Sequence, residues 1–384
     1  MHVVVVARSL PFHQLGGMEA VAWDLCRSLA QRGVQVTALT TATPKLPARS
    51  TIEGVEIVTL DAPSGRYSKQ WWQASREAIL TLLPCDIVLS VSIAGVAIAQ
   101  DKRFRAKSRA QVIFQCHGTA DTDFRSKIRT GKPKEIAKAI YLLPAFLKDF
   151  RYRAFDAIVS IGEAVTGSLT RPPIRWATGP VPVTTIANGI DEDRFRFDPA
   201  GREAIRREYR LPAAAPVVVS ASRLHVQKGV AEGLAGFARA REALPGLHYL
   251  IAGDGPDLPR LEQMARNLGV VDAVRFAGAI ARERLPQLLG AGDIFLFSSV
   301  RQEGFALGPL EAAACGLPSV LSSHLAIPGL ETALVDPRSP RSVADGLIAA
   351  AARRSADRAS LLPEVYSLAY ATSRYIDLFA KLSA

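Results

Sequence analysis

The sequence predicts an α/β protein of two doubly wound, Rossmann-like domains, and three observations carry the prediction. Short runs rich in valine and isoleucine, the first of them HVVVV from His2, recur along the chain without the polar alternation of a half-exposed strand. They suit strands buried on both faces of a parallel sheet. Helix-favouring stretches separate these runs, which is the order of βαβ units. A length of 384 residues is too great for one ordinary core and suits two, with the division expected at residues 1–187 and 188–364.

The run from His2 to Ala7 reads as the first strand. A polar loop with Gly16-Gly17 follows, and Glu19 to Arg32 then carries Val21, Leu25 and Leu29 at four-residue spacing before Gly33, as an amphipathic helix with a glycine end does. A glycine turn before a helix lets a phosphate approach bare backbone, and equally serves as an ordinary tight turn. Further strands are expected at Val34–Thr40, Val55–Leu60, Asp86–Val91, Gln111–Cys116, Asp156–Ile161 and Val183–Ala187. His117 lies just past the strand QVIFQC, where ligands bind in such sheets, although a lone histidine is more often an ordinary hydrogen-bonded side chain.

Asn188-Gly189-Ile190-Asp191 marks the passage into the second half, and the arginine-rich stretch after it suits a linker with a small helix. Pro216–Ser222 is a valine-rich strand. Arg223 and Lys228 follow five residues apart in a loop, where a guanidinium fork and an ammonium suit a diphosphate, or equally a solvated surface. Tyr249–Ala252 with Gly253-Asp254-Gly255-Pro256 is another strand and turn, and Ala273–Gly278 another strand. The turn is no Walker loop, because the Gly-x4-Gly-Lys-Ser/Thr spacing is absent. Arg341 to Ala384 reads as helices with a break near Pro363.

Most informative is the stretch from Asp293 to Pro318, DIFLFSSVRQEGFALGPLEAAACGLP. DIFLFSS reads as a buried strand, a loop must follow, and LEAAAC after Gly308-Pro309 favours helix, with Pro309 in its first turn and Gly316 as its C-terminal cap. Strand, loop and helix N-terminus direct backbone N–H groups to where an anion can be held. Glu303 in the loop and Glu311, expected in the first helical turn, are acceptor-only carboxylates that suit the paired hydroxyls of a sugar or ribose. Taken singly, Glu303 reads as a solvated loop residue and Glu311 as a complement to the helix dipole.

Taken whole, E-G-F-A-L-G-P-L-E-A-A-A-C-G-L-P resembles the E-x7-E segment of the retaining family-4 glycosyltransferases of the GT-B fold. G-G-M-E resembles the donor-phosphate loop of that family's first domain, S-R-L-x4-K-G its phosphate motif, G-D-G-P a turn near the donor, and N-G-I-D its hinge, so the resemblance spans nearly the whole chain. It implies two Rossmann-like domains facing a central cleft, with about 365–384 crossing back to the first domain. The implied donor is a nucleoside diphosphate sugar, held mainly by the second domain. Glu303 would meet the donor sugar and Glu311 the ribose; Arg223 and Lys228 would meet the diphosphate, with the backbone around Leu307 and Gly308; the backbone from Ala279 and Ile280 to Arg282 would face the base. Gly16, Gly17, Gly253, Gly304, Phe305 and Ala306 complete the implied donor contacts. His117 matches the family's histidine facing donor sugar and acceptor. The implied catalytic residues are therefore His117, Glu303, Arg223 and Lys228, and the implied reaction transfers a hexosyl-type group to an acceptor hydroxyl with retention, needing no metal and no further cofactor. One departure stands out: SSHLAIPGLETALVDP, after Pro318, is shorter than in the family and lacks its Gly-Gly phrase, which bears on packing beside the nucleotide.

Composition narrows the alternatives. A hydrophobic fraction of 48% and a charged fraction of 22% describe a soluble globular protein. Cys26, Cys85, Cys116 and Cys315 are far apart and form no C-x-x-C pair, as expected of buried thiols in a reducing compartment. MHVVVVARS has no basic n-region and Arg8 cuts its apolar run short, so neither a signal peptide nor a membrane span is expected there. A dinucleotide-dependent oxidoreductase needs G-x-G-x-x-G and an acid ending the second strand, where Leu39-Thr40-Thr41 stands instead. A sugar-nucleotide epimerase on the same fold should carry several catalytic acids, which the sequence does not place. Asp121-x-Asp123 and Asp191-x-Asp193 match the D-x-D that binds metal in a different glycosyltransferase fold, and both are expected in polar loops. No helix-turn-helix or basic patch with interleaved stacking aromatics supports nucleic-acid binding.

Net charge is the unusual figure, at +11, and its placement points to the acceptor. Between Asp101 and Arg153 fourteen bases stand against five acids, leaving nine of the eleven net positive charges in the first domain. Ile136, Ile140, Leu143 and Leu147 recur there at helical spacing, with Tyr141, Leu142 and Phe146 nearby and Pro144 as a kink. A core-facing helix with a solvated basic edge is one reading; the other is a surface for anionic lipid headgroups. On the second, the protein is cytoplasmic and peripheral on the inner face of the plasma membrane, a monomer or homodimer acting on a lipid-linked acceptor in cell-envelope polysaccharide or lipopolysaccharide synthesis. A soluble, small glycan acceptor is the alternative.

Overall fold

The computed structural model describes residues 1–13, 16–62, 67–129, 136–137, 150–353 and 358–384. The chain forms two compact units, one of Met1–Arg125, Ala137–Gly189 and Val365–Ala384, the other of Ser126–Ile136 and Ile190–Glu364.

In the first unit the apolar runs become β1 (His2–Val6), β2 (Gln35–Thr41), β3 (Arg49–Ile52), β4 (Val55–Leu60), β5 (Ile87–Val91), β6 (Gln111–Cys116), β7 (Ala157–Ser160) and β8 (Val183–Thr185). They pair in the order β3-β4-β2-β1-β5-β6-β7-β8. Every pairing is parallel except β3 with β4. The edge strand β3 is not expected from sequence, because RSTI has no apolar run. It forms because Glu53 and Gly54 both adopt positive φ, 50° and 80°, the geometry of a two-residue hairpin turn.

Helix α1 (Gly17–Gln31) buries Val21, Leu25 and Leu29 as their spacing predicts. Against the same core, with Val3, Val5 and Leu29, lie Ala371, Tyr375 and Phe379, which recur every four residues on the C-terminal helix (Leu368–Ser383). That helix is further held by Arg32, whose guanidinium donates to the Ala369 carbonyl at 2.8 Å and to Ser373 Oγ at 2.6 Å. The last twenty residues therefore complete the first unit, although they follow the second in sequence.

The second unit is an all-parallel sheet of β9 (Val217–Ala221), β10 (His248–Ala252), β11 (Val274–Gly278), β12 (Ile294–Phe297), β13 (Ser319–Ser322) and β14 (Thr332–Val335), ordered β11-β10-β9-β12-β13-β14. The shortened stretch after Pro318 thus contributes two strands of four residues each, too short to be recognised as apolar runs. The sheet is flanked by α2 (Val230–Ala243) and α3 (Leu307–Ala314) among other helices. Helix and break near Pro363 follow expectation, with Pro340–Ala352 helical and Leu368 starting the last helix.

Two expectations need correcting. Helix α3 begins at Leu307, so Glu311 lies in its second turn; Pro309 does not delay the start, because a first-turn N–H has no intrahelical partner. Asp121 and Asp123 lie in a helix, Ala120–Arg129, rather than a polar loop, while Asp193 does lie in a turn and Asp191 stands just before it. The small helix expected in the arginine-rich stretch after Asp191 is Pro199–Glu208, which presents Arg202 and Arg206 to Asp293 at 2.8 Å each. All four cysteines are buried and free. The apolar positions Ile140, Leu143 and Leu147, and Lys132, Lys134, Lys138 and Lys148, lie outside the described residues.

Candidate active site

In an open parallel sheet, ligands bind beyond the carboxyl ends of the strands, at the point where the strand order reverses. In the second unit this switch point lies between β9 and β12. The loops leaving those two strands carry Arg223 and Lys228 on one side and Glu303 on the other. The fold therefore joins residues 75 positions apart: Lys228 Nζ donates to Glu303 Oε1 at 2.8 Å. Ser299 Oγ donates to the same oxygen at 3.1 Å, and the ammonium lies 5.7 Å from the centre of the Phe297 ring.

The two loops are tied through backbone. The Gln227 carbonyl accepts from the N–H groups of Val300 and Arg301, at 3.1 and 3.2 Å. Gly229 follows with φ +65°, and a Cβ there would sit 1.8 Å from the Ser298 carbonyl oxygen, so only glycine lets the loops close. Gly253 does the same for the neighbouring loop: with φ +131°, its Cβ would lie 1.8 Å from the Ser222 carbonyl oxygen. The Asp254 carbonyl accepts from Leu224 N–H at 2.9 Å. The G-D-G-P turn thereby backs the loop of Arg223, whose side chain is exposed.

Glu303, Gly304, Phe305, Ala306, Leu307 and Gly308 form a partly exposed rim leading into α3. Glu311, by contrast, is buried. Arg282 donates to its Oε1 at 2.8 Å, and the same guanidinium lies 5.2 Å from the Phe195 ring centre. The sequence pointed to the backbone near Ala279–Arg282; the pairing of the Arg282 side chain with Glu311 is what it did not identify. Its signal would have been a cation in the loop after β11, which periodicity does not read.

In the first unit the switch point lies between β1 and β5. Gly16 and Gly17 are exposed at the N-terminus of α1, after β1. Glu19 folds back over that turn, its Oε2 lying 2.2 Å from where a Cβ of Gly16 would stand, while its Oε1 accepts from Ser9 Oγ at 2.8 Å. A carboxylate is thus already placed at this helix N-terminus, in the manner of a capping box, and an anion at the Gly-Gly turn meets it.

His117 stands just past β6, with Nε2 2.9 Å from Gln115 Oε1. Exclusion of water from the imidazole pushes its pKa down to about 4, against the smaller, opposite effect of the Glu19 carboxylate. The unfolded chain takes up this proton below about pH 6.5 and the folded chain only near 4, so stability falls as pH drops through that window. The melting temperature of the wild type is expected to fall more between pH 7 and 4.5 than that of His117→Gln. Equal falls would show that the ring is not held away from water.

A family model described as Glycosyltransferase Family 4 matches residues 15–194, and one described as Glycosyl transferases group 1 matches residues 201–358. The chain belongs to this glycosyltransferase family. Among its relatives is the GDP-mannose-dependent alpha-(1-6)-phosphatidylinositol monomannoside mannosyltransferase of Mycobacterium tuberculosis, 34% identical over 47% of this chain and 50% of the relative. Another is the D-inositol 3-phosphate glycosyltransferase of Mycobacteroides abscessus, 37% identical over 42% of this chain and 35% of the relative. The chain thus spans about half the length, or less, of the curated relatives it matches. Among solved structures, sucrose-phosphate synthase from Thermosynechococcus elongatus aligns with a TM-score of 0.77 over 99% of this chain and 98% of that one, at 17% identity. Anabaena HepE in complex with UDP and glucose aligns with a TM-score of 0.71 over 99% and 100%, also at 17% identity. Both alignments assign the GT-B fold to this family-4 glycosyltransferase.

Proposed function

We propose that this protein moves a hexosyl group from a nucleoside diphosphate sugar to an acceptor hydroxyl with retention at the anomeric carbon, and that the acceptor is lipid-linked. The observation that carries the reading is the Lys228–Glu303 pair at the β9/β12 switch point, 2.8 Å apart and tied by the Gln227 backbone. An ammonium has three N–H donors and a carboxylate several lone pairs, so each retains capacity for a ligand while orienting the other. As the bond from the anomeric carbon to the phosphate oxygen breaks, its electron pair leaves on the diphosphate. Lys228, Arg223 and the N-terminus of α3 supply positive charge there, and Glu303 accepts from hydroxyls of the donor sugar. Glu311, oriented by Arg282, is the carboxylate for the ribose. The family resemblance assigns His117 to the donor sugar and the acceptor. These groups stabilise the leaving charge without a metal, so transfer is expected to survive a chelator.

The acceptor reading rests on charge and on relatives. Of the bases between Lys102 and Arg153, Arg103 and Arg105 are engaged with Asp101 and Asp156, and Arg153 with backbone carbonyls, while Lys102, Lys107, Arg109 and Arg151 are exposed. One relative is named for a phosphatidylinositol mannoside and another for inositol 3-phosphate, so anionic acceptors recur around this sequence. No helix among the described residues is long and apolar enough to cross a membrane, and a peripheral enzyme of the inner membrane face, acting in envelope glycan synthesis, fits this surface. A panel of nucleotide sugars screened by thermal shift identifies the donor, because at equal concentration the tightest binder raises apparent stability most. Vesicle sedimentation then tests the acceptor side: each nearby Lys or Arg contributes roughly 1 kcal/mol of attraction to anionic lipid, so binding should fall steeply with salt. Equal binding to neutral and anionic vesicles, or none at low salt, would favour a small phosphorylated acceptor.

A further inference from the structure

The strand β6 reads QVIFQC, and its second glutamine is the anomaly: Gln115 is 1% exposed in a stretch otherwise apolar. A buried primary amide left without partners costs as much as a lost hydrogen bond at each end. Both ends are satisfied. Nε2 donates to Tyr375 Oη at 2.7 Å, and Oε1 lies 2.9 Å from His117 Nε2. Residues 115 and 117 are two apart along a strand direction, so their side chains share a face. Tyr375 is 3% exposed on the C-terminal helix, packed in the same core as Val3 and Val5. The Gln115–Tyr375 bond is therefore shielded from water, whereas His117 is only partly buried.

An amide oxygen can only accept, so the ring nitrogen facing it must carry a hydrogen. We propose that Gln115, anchored by Tyr375, is a positioning residue that holds His117 as the Nε2–H tautomer, so that Nδ1 is the nitrogen offered to a substrate hydroxyl. The inference rests on the reading that His117 faces substrate. The last helix thereby has a second role, since besides covering the first unit's core it supplies the hydroxyl that accepts from Gln115 Nε2. The low pKa of the ring, set by exclusion of water with Glu19 of α1 as the opposing charge, keeps it neutral at ordinary pH, where the choice of tautomer has meaning.

The test uses the full chain labelled with ¹⁵N-histidine, whose six rings are resolved by long-range ¹H–¹⁵N correlation and assigned for position 117 by His117→Gln. The wild type is expected to show His117 as a single Nε2–H tautomer. Gln115→Leu should lose that preference, and Gln115→Glu, which places a carboxylate against the ring, should raise its titration midpoint by about one unit or more. Tyr375→Phe, which removes one oxygen from the core without changing shape, serves if the Gln115 variants do not fold. It should admit the Nδ1–H form and lower kcat roughly three- to tenfold, the size of one net hydrogen bond, with the donor KM unchanged. An Nδ1–H ring in the wild type, or an unchanged tautomer in Gln115→Leu and Tyr375→Phe alike, overturns the relay. Full transfer by His117→Ala beside an Nε2–H wild-type ring instead overturns the reading of His117, so the two failures are distinguishable.

Discussion

Lys228→Ala is expected to lower glycosyl transfer by about 10²–10³-fold, the loss typical of removing one preorganised group from a developing negative charge. The fold should survive, because Lys228 is a loop residue outside both cores and the loops remain joined by the Gln227 carbonyl. The variant also frees Glu303 from its ammonium partner, while Ser299 Oγ still donates to the carboxylate at 3.1 Å. Glu303→Ala should therefore be comparably slow, and the double variant much less than multiplicatively worse, since the two side chains act as a unit. Arg223→Ala should fall in the same direction. Steady-state kinetics and a melting curve for each variant check this. Wild-type turnover and donor affinity in Lys228→Ala would remove that lysine from the site.

The largest stability effect is expected at Asp293, which stands at the entry to β12. Its carboxylate accepts from Arg202, Arg206 and Arg358 at 2.8, 2.8 and 2.7 Å and from Val217 N–H at 2.8 Å, and it is 6% exposed. Asp293→Ala leaves guanidinium groups crowded together with their shared anion gone. Breaking such a buried arrangement costs about 3–5 kcal/mol, or a fall in melting temperature of roughly 6–20 °C for a unit of this size. Donor affinity should fail together with stability, since β12 leads directly into the loop of Glu303. A melting temperature within about 2 °C of the wild type, an interval set well below that roughly 6–20 °C range, would mean that the three arginines find other partners.

Much of this molecule is readable in order. The apolar runs became the central strands with ends displaced by a residue or two, because a strand buried on both faces must be continuously apolar and nothing else in a soluble chain needs to be. The motif stretches were legible for a related reason. A glycine that must press on backbone, as Gly229 and Gly253 do, and a Gly-Pro opening a helix are local requirements written in single residues. What stayed hidden were short edge elements, β3, β13 and β14, whose four residues carry no period, and the first turn of α3, which starts ahead of its proline.

Residue order was enough for the fold class, the family, and the residue types that gather in the loops after β1, β6, β9 and β12. It was not enough for their partners, which depend on packing. Lys228 with Glu303, Arg282 with Glu311, Asp293 with its three arginines, and Gln115 with Tyr375 all join residues from separate segments. The difference is one of range. Strand and helix preferences act over a few neighbours and leave a period in the chain, whereas an ion pair or a buried amide needs only that two groups meet in space, at about 2.8 Å. The winding of the sheets sets that meeting, and no local pattern records it.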